Sequence, residues 1–161
     1  MSNTITAKLI KALPEKVYNA FVNPAALEIW LAPGGMTAKL HNFNLCIGGG
    51  YEMSLFYPGE DSENEGKTNE REDRYTAKFI TLIPGKKIVE AINFNTANPA
   101  FLGEMMMEVV FDKLDDGTMV TMKFSNIPPG INPADNEKGT ELSLQKLAGF
   151  IEQGNAPVSA C

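Results

Sequence analysis

One stretch limits the folds open to this chain more than any other: Leu13-Pro14-Glu15-Lys16-Val17-Tyr18-Asn19-Ala20-Phe21-Val22-Asn23-Pro24-Ala25-Ala26-Leu27-Glu28-Ile29-Trp30. Pro14 suits the first position of a helix, where a missing N–H costs nothing. Val17, Ala20 and Phe21 then fall at i, i+3 and i+4 and make one apolar stripe. Asn23-Pro24 stops that helix, because a residue before proline disfavours the α region. Ala25 to Leu31 predicts a second helix of about two turns. Two short early helices, a long run of strands and a last helix predict a sheet wrapped around a helix, with a pocket between them.

The chain has 161 residues, enough for one domain. Hydrophobic residues are 43% and charged residues 21%, so the chain can build a packed core and is not a disordered polyelectrolyte. Net charge is −6 and Lys86-Lys87 is the only adjacent basic pair, so no electrostatic footprint for nucleic acid exists. No apolar run reaches the ~20 residues that span a bilayer, and no secretory leader is expected at the N-terminus. Cys46 and Cys161 do not form a disulfide framework. A cytoplasmic setting with reduced thiols is the expectation.

Thr4 to Ala12 alternates loosely, with Ile5, Ala7, Leu9 and Lys11 on one side, and predicts a first strand. Thr37 to Asn42 and Tyr51 to Tyr57 follow. In the second of these, Tyr51, Met53, Leu55 and Tyr57 share a face. Pro58 to Asp73 is polar and acidic and reads as an excursion between strands. Tyr75 to Leu82 and Lys87 to Phe94 predict a hairpin across Pro84-Gly85. The clearest pattern comes next. Met105, Met107, Val109 and Phe111 alternate with more polar neighbours, Asp115-Asp116-Gly117 turns, and Val120, Met122 and Phe124 alternate on the return. From Asn132 or Asp135 to Glu152 the period becomes helical, with Leu144, Leu147, Ala148 and Ile151 on one stripe. Gly154 caps that helix, and residues 155–161 read as a flexible tail after a single domain spanning 1–154.

Several motifs do not carry the chemistry they resemble. Gly66-Lys67-Thr68 looks like the end of a phosphate-binding loop, but Asp61 stands where that loop needs glycine. Gly48-Gly49-Gly50 leads into a strand and not a helix, so it serves a bend or bulge rather than a dinucleotide. His41, the only histidine, has no Cys or His nearby for a metal, and its spacing supports no Ser-His-Asp arrangement. Glu70, Glu72 and Asp73, beside Arg71 and Arg74, read as a solvated charged run; a carboxylate entering an apolar pocket would instead become an acid or base. Methionines at 53, 105, 107 and 122 suit an irregular core slightly more than an adaptable pocket wall.

These residues together resemble the START-like (SRPBCC) superfamily, and within it the branch named after the activator of the ninety-kilodalton heat-shock chaperone's ATPase. The resemblance rests on the Leu13–Phe21 and Asn23–Trp30 pattern and on Gly48-Gly49-Gly50-Tyr51. It continues through Gly66-Lys67-Thr68, Glu72-Asp73 before Tyr75, and Ile83-Pro84-Gly85-Lys86-Lys87-Ile88-Val89. Gly117-Thr118 and Gly139 with Leu144, Leu147 and Ile151 complete it, over residues 4 to 153. Three departures from the pattern stand out: Thr140 replaces an aromatic, Ile29-Trp30 replaces two aromatics, and Arg71 stands where histidine is frequent.

The resemblance implies an α+β helix-grip fold. A curved antiparallel sheet would clasp the C-terminal helix, and two short helices would close one end. It also implies a stand-alone binder of an apolar or aromatic small molecule. Chaperone activation is not implied, because the namesake activator's additional N-terminal domain has no counterpart here. The expected pocket takes Tyr51, Met53, Leu55 and Tyr75 from the early strands, and Met105, Met107, Val109 and Phe111 from the next. Met122 and Phe124 continue it beside Val120, Leu144, Leu147 and Ile151 face them from the helix beside Ala148, and Trp30 stands near the mouth. No catalytic or metal-ligating residue is assigned, and no cofactor is called for. A cyclase- or hydrolase-type enzyme is the alternative. It needs one of Glu52, Glu72, Asp73 and Glu90 inside the pocket. A chaperone- or client-interaction module is a further alternative, and a homodimer is compatible with the sequence.

Overall fold

Each helix starts on a proline. The first, α1, spans Pro14–Phe21, α2 spans Pro24–Trp30, and α3 spans Pro133–Glu152. Asn23 and Asn132 cap the last two by accepting the N–H of Ala26 and Ala134. Asn132→Ala removes that acceptor from the long helix. It is expected to lower stability by about 1 kcal/mol in urea unfolding, and an unchanged midpoint would refute the role.

The structure is a computed structural model that describes residues 2–58 and 72–154. Among these residues seven strands follow in order: β1 Ser2–Ile10, β2 Thr37–Asn44, β3 Gly50–Phe56, β4 Glu72–Ile83, β5 Lys87–Phe94, β6 Met105–Leu114 and β7 Gly117–Ile127. They form one antiparallel sheet in the order β1-β7-β6-β5-β4-β3-β2, so the first strand closes against the last. A 3-10 turn, Pro99–Phe101, lies between β5 and β6. The sheet, α1, α2 and α3 make the helix-grip fold, with the core between the sheet's inner face and the helices.

The glycine triplet acts as a bend. Gly50 opens β3 with φ +151°, and a Cβ there would strike the Ala77 carbonyl of β4. Gly48 N–H and Gly49 O extend the pairing to Phe79 at 2.8 and 2.9 Å, so the approach is a bonded one.

Two end regions differ from expectation. The apolar side of β1 turns outward, leaving Ile5 61% exposed, while Thr4, Thr6 and Ile10 face inward. The cause is the partner: β1 packs on α3, and Thr4 Oγ1 donates to Asn136 Oδ1 at 2.6 Å. Glu72 and Asp73 belong to β4 and not to a loop, and Asp73 is buried. The rest of the expected excursion from residue 59, including Gly66-Lys67-Thr68, Glu70 and Arg71, lies outside the described residues, as does the tail with Cys161.

Candidate functional site

The apolar stripe of α3 runs along its C-terminal half, where Leu144, Leu147, Ala148 and Ile151 are buried against the core. On the N-terminal half, the sheet-facing positions are Asp135, Asn136, Gly139, Thr140 and Ser143. These side chains are short. Asn136 meets the edge strand β1 at Thr4, and a cavity of about 540 Å³ is lined by these side chains and the sheet's inner face. Ser143 Oγ donates to Leu31 O at 2.7 Å and Lys146 Nζ to Ala32 O at 2.6 Å, which pins the middle of the helix to the residues that follow α2.

The wall is largely apolar. Tyr51, Tyr57, Tyr75, Phe94, Phe101 and Phe124 supply rings; Met36, Met105, Met107 and Met122 supply thioethers; Leu31, Pro33, Leu55, Ile92 and Ile131 complete it. Among the described residues, three carboxyl groups, Asp73, Glu90 and Asp135, are the only chargeable side chains on it, and no Lys, Arg or His lines it.

Glu90 is the unusual group. It sits on β5 between Phe79 of β4 and Met107 of β6, and it is 1% exposed. Tyr51 reaches across β4, where its own partner is the small Ala77, and its O–H donates to Glu90 Oε1 at 2.9 Å. That is the carboxyl's one hydrogen bond among the described residues. Burial pushes Glu90 up to about 7, and the Tyr51 hydrogen bond offsets this only in part. Burial and the neighbouring Glu90 charge push the Tyr51 hydroxyl well above the usual phenol range, and Tyr75 moves the same way for the same reasons. Asp73, 2% exposed, accepts a 2.9 Å hydrogen bond from Tyr57 O–H.

The opposite face of the sheet holds the other candidates. Glu52 pairs with Arg74 at 2.9 Å and accepts from Asn95, which lowers its pKa. Ser54 Oγ donates to Glu72 and meets His41 Nε2 at 2.7 Å. Serine is the middle member of that chain, so the imidazole cannot both take its proton and be oriented by the carboxylate. No group of side chains fit to hold a metal ion is found among the described residues. No helix among them is long and apolar enough to cross a membrane.

Of the fourteen residues expected at the pocket, seven line the cavity: Tyr51, Leu55, Tyr75, Met105, Met107, Met122 and Phe124. The other seven are core. Trp30 does not stand near the mouth; it is fully buried, its Nε1–H donates to Ala20 O at 2.9 Å, and its ring meets Phe21 edge-on. Met53 and Val109 are fully buried within the core. Phe111 packs on Tyr18 and Phe21, at the end α1 closes. Leu144, Leu147 and Ile151 fill the space that an empty interior would need. Sequence reasoning placed Glu90 and Asp73 on no face. Each lies in the inward phase of its strand, Glu90 with Ile88 and Ile92, Asp73 with Tyr75 and Ala77.

A family model described as "Activator of Hsp90 ATPase homolog 1-like protein" matches residues 11–152. A solved structure from Chromobacterium violaceum is 25% identical with a TM-score of 0.80, over 93% of this chain and 97% of that one. An AHSA1-like protein from Aeromonas hydrophila is 15% identical with a TM-score of 0.71, over 96% and 94%. A protein from Arthrobacter aurescens is 13% identical with a TM-score of 0.77, over 98% and 90%. The last two speak for the fold alone. None of the curated proteins matches the chain at a significant level.

Proposed function

The chain belongs to the Activator of Hsp90 ATPase homolog 1-like family, and from that premise we propose that it is a small-molecule-binding protein. Its ligand is an apolar or aromatic molecule held between the sheet and the N-terminal half of α3. One observation carries this reading. The cavity of about 540 Å³ falls inside the ~300–1,000 Å³ range of small-molecule sites, with an apolar wall and few polar groups. Rings and thioethers adapt to a guest at small conformational cost.

A neutral fluorescent naphthalene, N-phenyl-naphthylamine, tests the reading. Saturable binding with emission enhancement is expected. Thr140→Trp places an indole in the cavity from the helix side and is expected to weaken binding by about tenfold or more, with the circular-dichroism spectrum unchanged. Absence of saturable binding, or equal affinity in the folded variant, would sink the proposal.

The enzymatic reading keeps one specific support, the buried carboxyl of Glu90 facing the same cavity with a pKa near neutrality. Under it, a bound guest is recovered chemically altered after incubation near pH 7. Recovery of every bound guest unchanged counts against it.

A further inference from the structure

We infer that the cavity's ligand carries a protonated nitrogen on an apolar body and seats that nitrogen against the Glu90 carboxyl. This deepens the binding reading and rests on it. The first support is the sign of the wall. Among the described residues, the chargeable side chains facing the cavity are all acidic, and they come from different elements: Asp73 from β4, Glu90 from β5 and Asp135 from α3. From β3 the neighbour is Tyr51, from β4 Tyr75 and Phe79, from β6 Met107; none supplies a positive charge. The nearby cations are engaged elsewhere: Lys146 binds Ala32 O, and Arg74 binds Glu52.

The second support is the state of the carboxyl. Glu90 is buried, lines the cavity and has only the Tyr51 O–H as partner among the described residues, on Oε1. Its Oε2 is therefore an acceptor with no protein donor among those residues. A buried carboxylate without a cation is unfavourable, and an N–H⁺ donor arriving with the ligand would supply both charge and hydrogen bond. A carboxylate ligand would meet like charge in a low-dielectric site. The third support is the rings beside it. Tyr51 and Tyr75 stand with centroids 6.3 Å apart, and Tyr75 and Phe94 6.1 Å apart, and aromatic faces attract organic cations.

Three ligands with one common body decide the matter: naphthylethylamine, naphthylethanol and naphthylacetate, titrated calorimetrically near pH 8. The amine is expected to bind about tenfold tighter than the alcohol, and the carboxylate weakest of all. Glu90→Gln erases the amine's advantage over the alcohol. Glu108→Gln removes the same charge from a half-exposed ion pair with Lys87 and keeps the amine's advantage, separating local contact from net charge. If Glu90→Gln does not fold, the native protein decides alone. Lowering the pH from 8 to 5 protonates Glu90 and weakens the amine about tenfold while the alcohol is unaffected. Alcohol or carboxylate binding as tightly as the amine overturns this inference and leaves the binding reading standing. Failure of all three ligands overturns both.

Discussion

Glu90→Gln is expected to raise the unfolding free energy by about 2 kcal/mol near pH 8 and to change it little near pH 4. The wild-type carboxyl ionises near 4.5 when unfolded and near 7 in the fold. Below 4.5 it is protonated in both states, and its relative contribution to stability is fully present. Between those values the unfolded chain gives up the proton while the fold keeps it, so stability falls as pH rises. Above 7 the fold carries a buried charge, and the loss reaches about 3 kcal/mol. Glutamine keeps the shape and still accepts the Tyr51 hydrogen bond. Its buried amide N–H groups give back part of the gain. Urea unfolding followed by Trp30 emission across pH 4 to 8 reads the difference. A variant less stable at pH 8, or a difference independent of pH, would show that Glu90 is not a strained buried acid.

Trp30→Ala should cost about 4 kcal/mol and leave the affinity of a cavity ligand unchanged. The indole is fully buried, hydrogen-bonded to Ala20 O, and packed edge-on against Phe21 at 4.7 Å. Phe21 in turn meets Phe111 of β6 at 5.3 Å, so one chain of rings ties α2 to α1 and α1 to the sheet. Removing its first member opens a void that the helices cannot collapse into while β6 holds Phe111 in place. Trp30→Phe keeps most of the ring packing and loses the N–H bond, for about 1–2 kcal/mol. Denaturant unfolding by circular dichroism gives the stability, and titration under folding conditions gives the affinity. Weaker ligand binding by folded Trp30→Ala would return this residue to the site.

The sequence made the scaffold easier to read than the cavity, for a physical reason. Met105–Phe111 and Val120–Phe124 alternate strictly because one face of the hairpin is core, and period two admits one answer. The same logic would have placed Glu90, since Ile88 and Ile92 fix the inward phase of β5. A charged residue in an apolar phase was the signal. The helix misled in the other direction. Its apolar stripe marks where α3 touches the core, whereas a cavity forms where side chains are too short to fill the gap to the sheet. Gly139, Thr140 and Ser143 carry that information by their size. From sequence, Trp30 is expected near the mouth. Its N–H found Ala20 O instead, a partner ten residues away in sequence that only the angle between α1 and α2 reveals.

The pairing of β1 with β7 has a consequence for synthesis of the chain. Among the described strands, Ser2–Ile10 finds its one ladder partner in Gly117–Ile127. A ribosome adding about 5–20 residues each second would need on the order of ten seconds between the two. Through that interval the nascent β1 segment is a ribbon without the ladder partner it has in the fold. Whatever escorts the emerging polypeptide has to shield that ribbon until the final hairpin leaves the exit tunnel.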